Sequence, residues 1–255
     1  LTDHLIYANP ADWEDRDGFI VIPGIENHGA DPDSGMYHLV GLGGDMTPGT
    51  RCQSLDSFRA EADRLLSHNM LVHFAHPYWS GQQARHLMEI DGPVAVEVYN
   101  TSTDIGTDKG YSDETWDQLL AAGRRQWGLA VDDAHWLPWR PPDAGYGWIV
   151  VKAEALSVES ILHALRLGQF YATQGPTIRQ VQVEEDEVYI ACSTAAKISA
   201  IGDRWFSSMA RNTGTPVNLT EARLKLWKGQ TYVRAVVTDS VGRRAWSNPI
   251  FLPPA

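Results

Sequence analysis

Imidazoles and carboxylates recur where apolar runs of this sequence break off. The stretch HFAHPYW (73–79) sets His73 and His76 three apart just before a proline, and LTDH brings Asp3 and His4. IPGIE ends on Glu26, YHLVGLG carries His38, and DDAH supplies Asp133 and His135. Imidazole nitrogen and carboxylate oxygen together suit zinc, manganese or iron, and a carboxylate can bridge two ions where a histidine cannot. Two such ions can activate a water and stabilise charge developing on a phosphoryl or carbonyl oxygen. Taken singly, each residue has a plain explanation. A lone histidine in an apolar run is usually a packed core residue, Glu26 after Pro-Gly could cap the next element, and DDAH could be a turn closed by an Asp side chain. The set is harder to explain that way, because separate strand-to-loop junctions each supply His or acid.

Other polar residues are weaker candidates. Side chains alternate along a strand, so His73 falls on a face opposite or oblique to His76 and reads as a packed or supporting neighbour. His28 follows Glu26 at i+2 and could share its face or be solvated. Asn100, ending VEVYN, could hydrogen-bond substrate or a metal-bound water, whereas Glu97 reads as structural. Arg51 and Lys109, in loops after strands, are candidate phosphate contacts whose default is surface solvation. Trp79, Trp136 and Trp139 follow the ligand-bearing strands and could wall an aromatic substrate pocket or pack between loops.

These groups must be positioned by alternating strands and helices. GFIVIPGIE (18–26), MYHLVGLG (36–43), MLVHFAHP (70–77), VAVEVYN (94–100), WGLAVDDAH (127–135) and YGWIVVKA (146–153) read as strands that stop at polar or Gly/Pro punctuation. Helices fit between them: one after Ser54 as N-cap, one from about Asp113 to Gly123, and one from Ser157 to Gly168. That alternation is βαβ in form. Past GQFYATQGP (168–176) the pattern becomes two-residue alternation with turns at Gly214, Gly229 and Gly242, which argues for a small antiparallel, sandwich-like β domain. The expected division is residues 1–175 as a metal-binding α/β unit and 176–255 as the β domain. In an α/β barrel the carboxyl ends of parallel strands open onto one face, so strand-end groups would converge there.

Composition narrows the field. The 255 residues are 43% apolar with a formal charge of −11, which leaves no basic stripe for general nucleic-acid binding. Cys52 and Cys192, the two cysteines, have no CxxC partner and read as ordinary thiols. No apolar run reaches membrane-spanning length and no signal-like region is evident, so the expectation is a soluble, cytoplasmic protein. The chain starts at Leu1 without a methionine, which is compatible with a targeting segment removed. Nothing in the sequence sets an oligomeric state.

LTDH, IPGIE followed by HLVGLG, AHPYW, VEVYN, GLAVDDAH and LRLGQFYATQGP, in this order along nearly the whole chain, resemble the PHP (polymerase and histidinol phosphatase) superfamily. The phrase at 166–176 and the AWSNPIFL ending resemble its carbaryl-hydrolase-like (CehA/McbA) branch in particular. The resemblance implies a distorted, TIM-like (β/α)7 barrel followed by a β domain. It implies two or three divalent ions (Zn, Mn or Fe) and hydrolysis of a small, anionic ester, with phosphoester the first choice. Carboxylic or carbamate ester or amide hydrolysis on the same site is the alternative. Carried over by position, Glu26 bridges ions, His38 and His76 complete one site with it, Asp133 shares another with Glu26, and His4 with His135 serve a third. The sequence departs from the family at its start: the strand bearing His-x-His, a helix and most of a second strand precede TDH in family members. Two histidines and an aspartate of the full site therefore lie outside this sequence. A fragment of a longer chain is the expected reason. The contrasting reading is a reduced site holding one ion through Glu26, His38 and His76, in a non-catalytic binding protein.

Overall fold

The computed structural model describes residues 1–8, 18–31, 35–212, 214 and 218–253. Strand β1 (Gly24–Asp31) pairs antiparallel with β2 (Gly35–Leu42), in a register that sets Glu26 opposite Val40 and His28 opposite His38. The strand expected from Gly18 begins only after Pro23, which has no N–H to give to a ladder. Helix α1 (Leu55–Ser67) starts where its cap predicts: the Ser54 hydroxyl accepts from the Ser57 N–H, and Ser57 reciprocates. Its buried stripe of Phe58, Ala62 and Leu65 packs under β2 and β3 (Leu71–Phe74).

Beyond β3 come two short helices, α2 (Pro77–Ser80) and α3 (Ala84–Leu87), then β4 (Ala95–Asn100) and α4 (Thr101–Thr107), which Asn100 caps. Helix α5 (Asp113–Ala121) ends before Gly123 at φ 86° and leads into β5 (Trp127–Val131). After β6 (Trp148–Val151), α6 (Val158–Arg166) is capped by Ser157 and stopped by Gly168 at φ 68°, and β7 (Phe170–Thr173) follows. The remaining strands are β8 (Ile178–Glu184), β9 (Glu187–Ala195), β10 (Lys197–Ile201), β11 (Ser207–Arg211), β12 (Leu219–Lys225), β13 (Tyr232–Thr238), β14 (Arg244–Ser247) and β15 (Ile250–Phe251).

The expected (β/α)7 barrel does not form. The described residues are 37% strand and 19% helix, with six helices and no closed barrel among them. The first five strands make an open sheet in the order β1-β2-β3-β4-β5, in which only β3–β4 and β4–β5 are parallel. Strands β6 and β7 do not extend that sheet. They pair antiparallel with each other, and β7 hydrogen-bonds to β14 within a sheet ordered β11-β10-β13-β14-β7-β6. A (β/α) barrel needs parallel strands that continue around to the first one; here the sixth and seventh reverse and leave for another sheet. A third sheet, β12-β9-β8, faces that one across a core of Val188, Ile190, Cys192, Ile198, Val233 and Val237.

Alternation sorts the first sheet into two faces. Ile25, Tyr37, Leu39, Val72, Phe74, Val96 and Val98 point to one side and pack against Phe58, Leu87, Trp116 and Leu119. Glu26, His38, His73 and Glu97 occupy the alternate positions and point to the other. The row Glu26, Val40, His73, Ala95 crosses four strands in register. Leu162, Leu165 and Phe170 cover part of this second face. No helix among the described residues is long and apolar enough to cross a membrane.

Candidate metal centre

Glu26 stands at the middle of the polar face. It is the third residue of β1 and His38 is the fourth of β2, so the two meet as a diagonal pair across an antiparallel ladder rather than at strand ends. The His38 Nδ1 is 2.6 Å from Glu26 Oε1. A segment before β1 brings the next imidazole: the Leu5 N–H donates to the Glu26 carbonyl at 2.8 Å and the Glu26 N–H to that of Asp3 at 3.1 Å. This short parallel bridge places His4 Nδ1 3.7 Å from Glu26 Oε2. One ligand atom from each of His4, Glu26 and His38 can be chosen so that all lie within 4.8 Å of one another.

His76 enters from the end of β3, at φ 28° and ψ 60°. Left-handed backbone is costly for a residue with a Cβ, and such strain persists where surrounding bonds hold it. Here the His76 N–H donates to Glu97 Oε2 at 2.8 Å, its Nδ1 meets Ser80 Oγ at 3.0 Å, and its Nε2 faces Glu26 Oε1 at 3.6 Å and Asp133 Oδ2 at 4.0 Å. Asp133, just past β5, is also at positive φ, 52°. His135 follows with its ring 5.9 Å from that of His4, and its Nδ1 approaches Ser102 Oγ at 3.3 Å.

Behind these groups lies a buried support. Glu97 accepts from His73 Nε2 at 3.2 Å and from Asn100 Nδ2 at 3.0 Å, besides the His76 N–H. Asn100 also donates to Asp133 Oδ2 at 3.2 Å, so Glu97 and Asn100 fix both His76 and Asp133. Burial alone would raise the Glu26 and Glu97 carboxyls, but hydrogen bonds and charge from the surrounding histidines pull both well below the usual range. Asp133 goes the other way: burial, then the nearby Glu26 and Glu97 charges, push it up to about 7. For His38, burial outweighs the bond to Glu26 and lowers the pKa, which leaves a neutral imidazole at pH 7. In His76 the opposing carboxylates prevail over burial and raise it.

The donor set fits divalent cations. Burial and the charges of the buried Glu26 and Glu97 suppress ionisation of the partly buried Asp133, a penalty that a cation relieves. The His38 Nε2 is buried and, among the described residues, has no hydrogen-bond partner, an open position on a neutral imidazole. Two cavities flank the cluster. One, of about 220 Å³, is lined by Glu26, His73, His76, Glu97 and Asp133 and by apolar side chains of the sheet. The other, of about 290 Å³, is lined by His4, His38, His76, Asp133 and His135 together with Trp79, Ser102 and Arg140.

Of the residues singled out from sequence, His4, Glu26, His38, His76, Asp133 and His135 come together, with His73 and Asn100 bonded behind them. Asp3 contributes its backbone and leaves its side chain exposed. Arg51 and Lys109 are exposed and line neither cavity; Lys109 lies over the Tyr78 ring. His28 shares the face of Glu26, its ring 4.8 Å from that of His4. Trp136 and Trp139 are exposed, whereas Trp79 stacks edge-on against His76. Sequence reasoning missed Arg140, which sits in WLPWRPP without any periodic pattern to place it, and set Glu97 aside as structural.

No family model matches the sequence, and the curated proteins contain no match. Among solved structures, the chain resembles a two-domain protein from Bacteroides vulgatus ATCC 8482 that contains a predicted PHP-like metal-dependent phosphoesterase. The two are 14% identical with a TM-score of 0.45, over 99% of this chain and 84% of that one. A likeness at this level assigns neither family nor activity.

Proposed function

We propose that the chain is a metal-dependent hydrolase of small esters, and that phosphoesters are its substrates. The observation that carries this reading is the buried Glu26 carboxylate ringed by His4, His38 and His76, with the His38 Nε2 left open. Glu26, His38 and His4 would hold one divalent ion, and Glu26 with His76 and Asp133 a second, with His135 at the margin. Zinc and manganese both suit such mixed nitrogen and oxygen donors. A bound cation would supply Lewis-acid chemistry, lowering the pKa of a water and offsetting negative charge that gathers on the ester oxygens. The protein's own part is to hold the donors. Glu97 and Asn100 orient His76 and Asp133, and Ser102 meets the Nδ1 side of His135. The resemblance of the motif series to the PHP superfamily supports the same reading.

The test is elemental analysis of the protein loaded with manganese or zinc, followed by turnover of p-nitrophenyl phosphate, p-nitrophenyl acetate and an aryl carbamate. The expected result is at least one equivalent of metal and preference for the phosphate. Glu26→Gln should lose the metal and at least about a hundredfold in turnover, more than outer partners usually cost. Stoichiometric metal with no hydrolysis of any of the three would leave a metal-containing binding protein instead.

A further inference from the structure

The larger cavity holds one guanidinium, that of Arg140, and it is built in place rather than solvated. Its Nη2 donates to Ser102 Oγ at 2.5 Å and to Asp143 Oδ2. Asp143 is fully buried, and its carboxylate also accepts the N–H groups of His135 at 3.0 Å and Trp136 at 3.2 Å. The loop that carries His135 is thereby tied to the same carboxylate that holds Arg140. Ser102 in turn stands 3.3 Å from His135 Nδ1, so the guanidinium lies one hydroxyl away from a candidate ligand. What the guanidinium leaves free for a ligand is Nη1. The Nε is buried without a partner, and among the described residues Nη1 has no hydrogen bond. A Cβ placed on Gly106 would stand 3.1 Å from Nη1, and Gly106 itself lines the cavity. A guanidinium N–H held in place donates a charge-assisted hydrogen bond to an oxygen of a phosphoryl or carboxylate group.

We propose that Arg140 is the anion anchor of this cavity and selects substrates that carry an oxyanion, which it receives on Nη1 beside Gly106. The assignment rests on the hydrolase reading for its meaning, but anchoring is a property of binding and can be measured without turnover. Because Asp143 and Ser102 hold the guanidinium beforehand, little side-chain freedom is lost when the anion arrives. Arg140 acts here through substrate affinity and placement.

Calorimetric titration of the 255-residue chain, stripped of metal with a chelator, tests this with phenylphosphonate, benzoate and neutral benzamide as probes. The expected order has phenylphosphonate or benzoate binding more tightly than benzamide, and the order of those two tells which oxyanion Nη1 prefers. Arg140→Met should weaken the favoured anion about tenfold or more and leave benzamide unchanged. Since that variant also deprives buried Asp143 of its partner, Gly106→Ala provides the second arm. It keeps Arg140 and Asp143 paired, adds a good helix former to α4, and fills the space against Nη1. It should weaken the anion several-fold with circular dichroism unchanged. Anions that bind no better than benzamide, or that bind both folded variants as they bind the parent chain, overturn the anchor. Absent hydrolysis in the metal-loaded protein together with Arg140-dependent anion binding would instead reject the hydrolase reading and leave the anchor standing.

Discussion

Glu97 lines the smaller of the two cavities, and two of its three bonds, from the His76 N–H and from Asn100, decide where His76 and Asp133 stand. Partners behind metal ligands typically change metal affinity by about 10- to 100-fold when removed. Glu97→Gln keeps the shape but loses the charge that receives His73 and the His76 N–H, so zinc affinity should fall within that range while the far-ultraviolet spectrum is kept. Competition with a chromophoric chelator measures it. Asp143 supports a pH prediction. Burial would raise its carboxyl, but the Arg140 bond first, then the His135 and Trp136 N–H groups, hold it down at about 2, against an ordinary value of 3.8. A depressed carboxylate contributes its full stabilisation above the unfolded value, and that contribution is lost as pH falls from 3.8 through about 2. Asp143→Asn should therefore flatten the fall in denaturant midpoint across that window and leave the slope above it unchanged.

Strand β5 owes its position to a close approach. Gly128 lies under the buried Trp116 ring, and a Cβ there would come within 2.6 Å of it. Gly128→Ala should cost roughly 1–3 kcal/mol through overpacking, read as a lower urea midpoint, and should loosen Asp133 five residues on. Caps and periodicity made much of this element level legible. Ser54, Ser157, Gly123 and Gly168 delimit helices where their chemistry predicts, since each acts through bonds to residues three or four away. The site was legible as residue types, Glu26, His38 and His76 above all. Its geometry was not, because convergence was expected at the ends of parallel strands, whereas Glu26 and His38 meet through the β1–β2 register. That register depends on pairing, which no local window contains. Arg140 escaped for a related reason: a proline-flanked loop has no period, and only the folded position of Ser102 and Asp143 shows what it faces.

At the scale of the whole molecule, α5 and β13 are joined by a buried charge. Arg234, only 2% exposed at its side chain, donates to Asp117 at 2.8 and 2.6 Å and lies over the Trp116 ring, its carbon 4.7 Å from the ring centre. Tyr232 donates its hydroxyl to the same carboxylate at 2.9 Å. Asp113 stands 3.5 Å from the guanidinium as a weaker second partner, so Asp117→Ala should destabilise by roughly 3 kcal/mol, the low end for breaking a buried pair. A lower urea midpoint measures the loss, since the broken link ties the first sheet's helix layer to the strands that follow.

The antiparallel pairing of β7 with β14 has a bearing on biosynthesis. Thr173 leaves the ribosome some seventy residues before its ladder partner Ala245. Chains emerge at about 5–20 residues per second, so for several seconds the nascent polypeptide carries β6 and β7 as a ribbon with an unsatisfied edge, next to the half that holds the imidazoles and carboxylates. Unpaired edges invite association with other chains. A stop codon placed just before Arg244 would make that interval permanent, and the product should partition to the insoluble fraction while the full-length chain stays in the supernatant. Strand β14 thus closes a sheet that β6 and β7 began, and the half that carries the imidazoles and carboxylates waits on residues translated some seventy positions later.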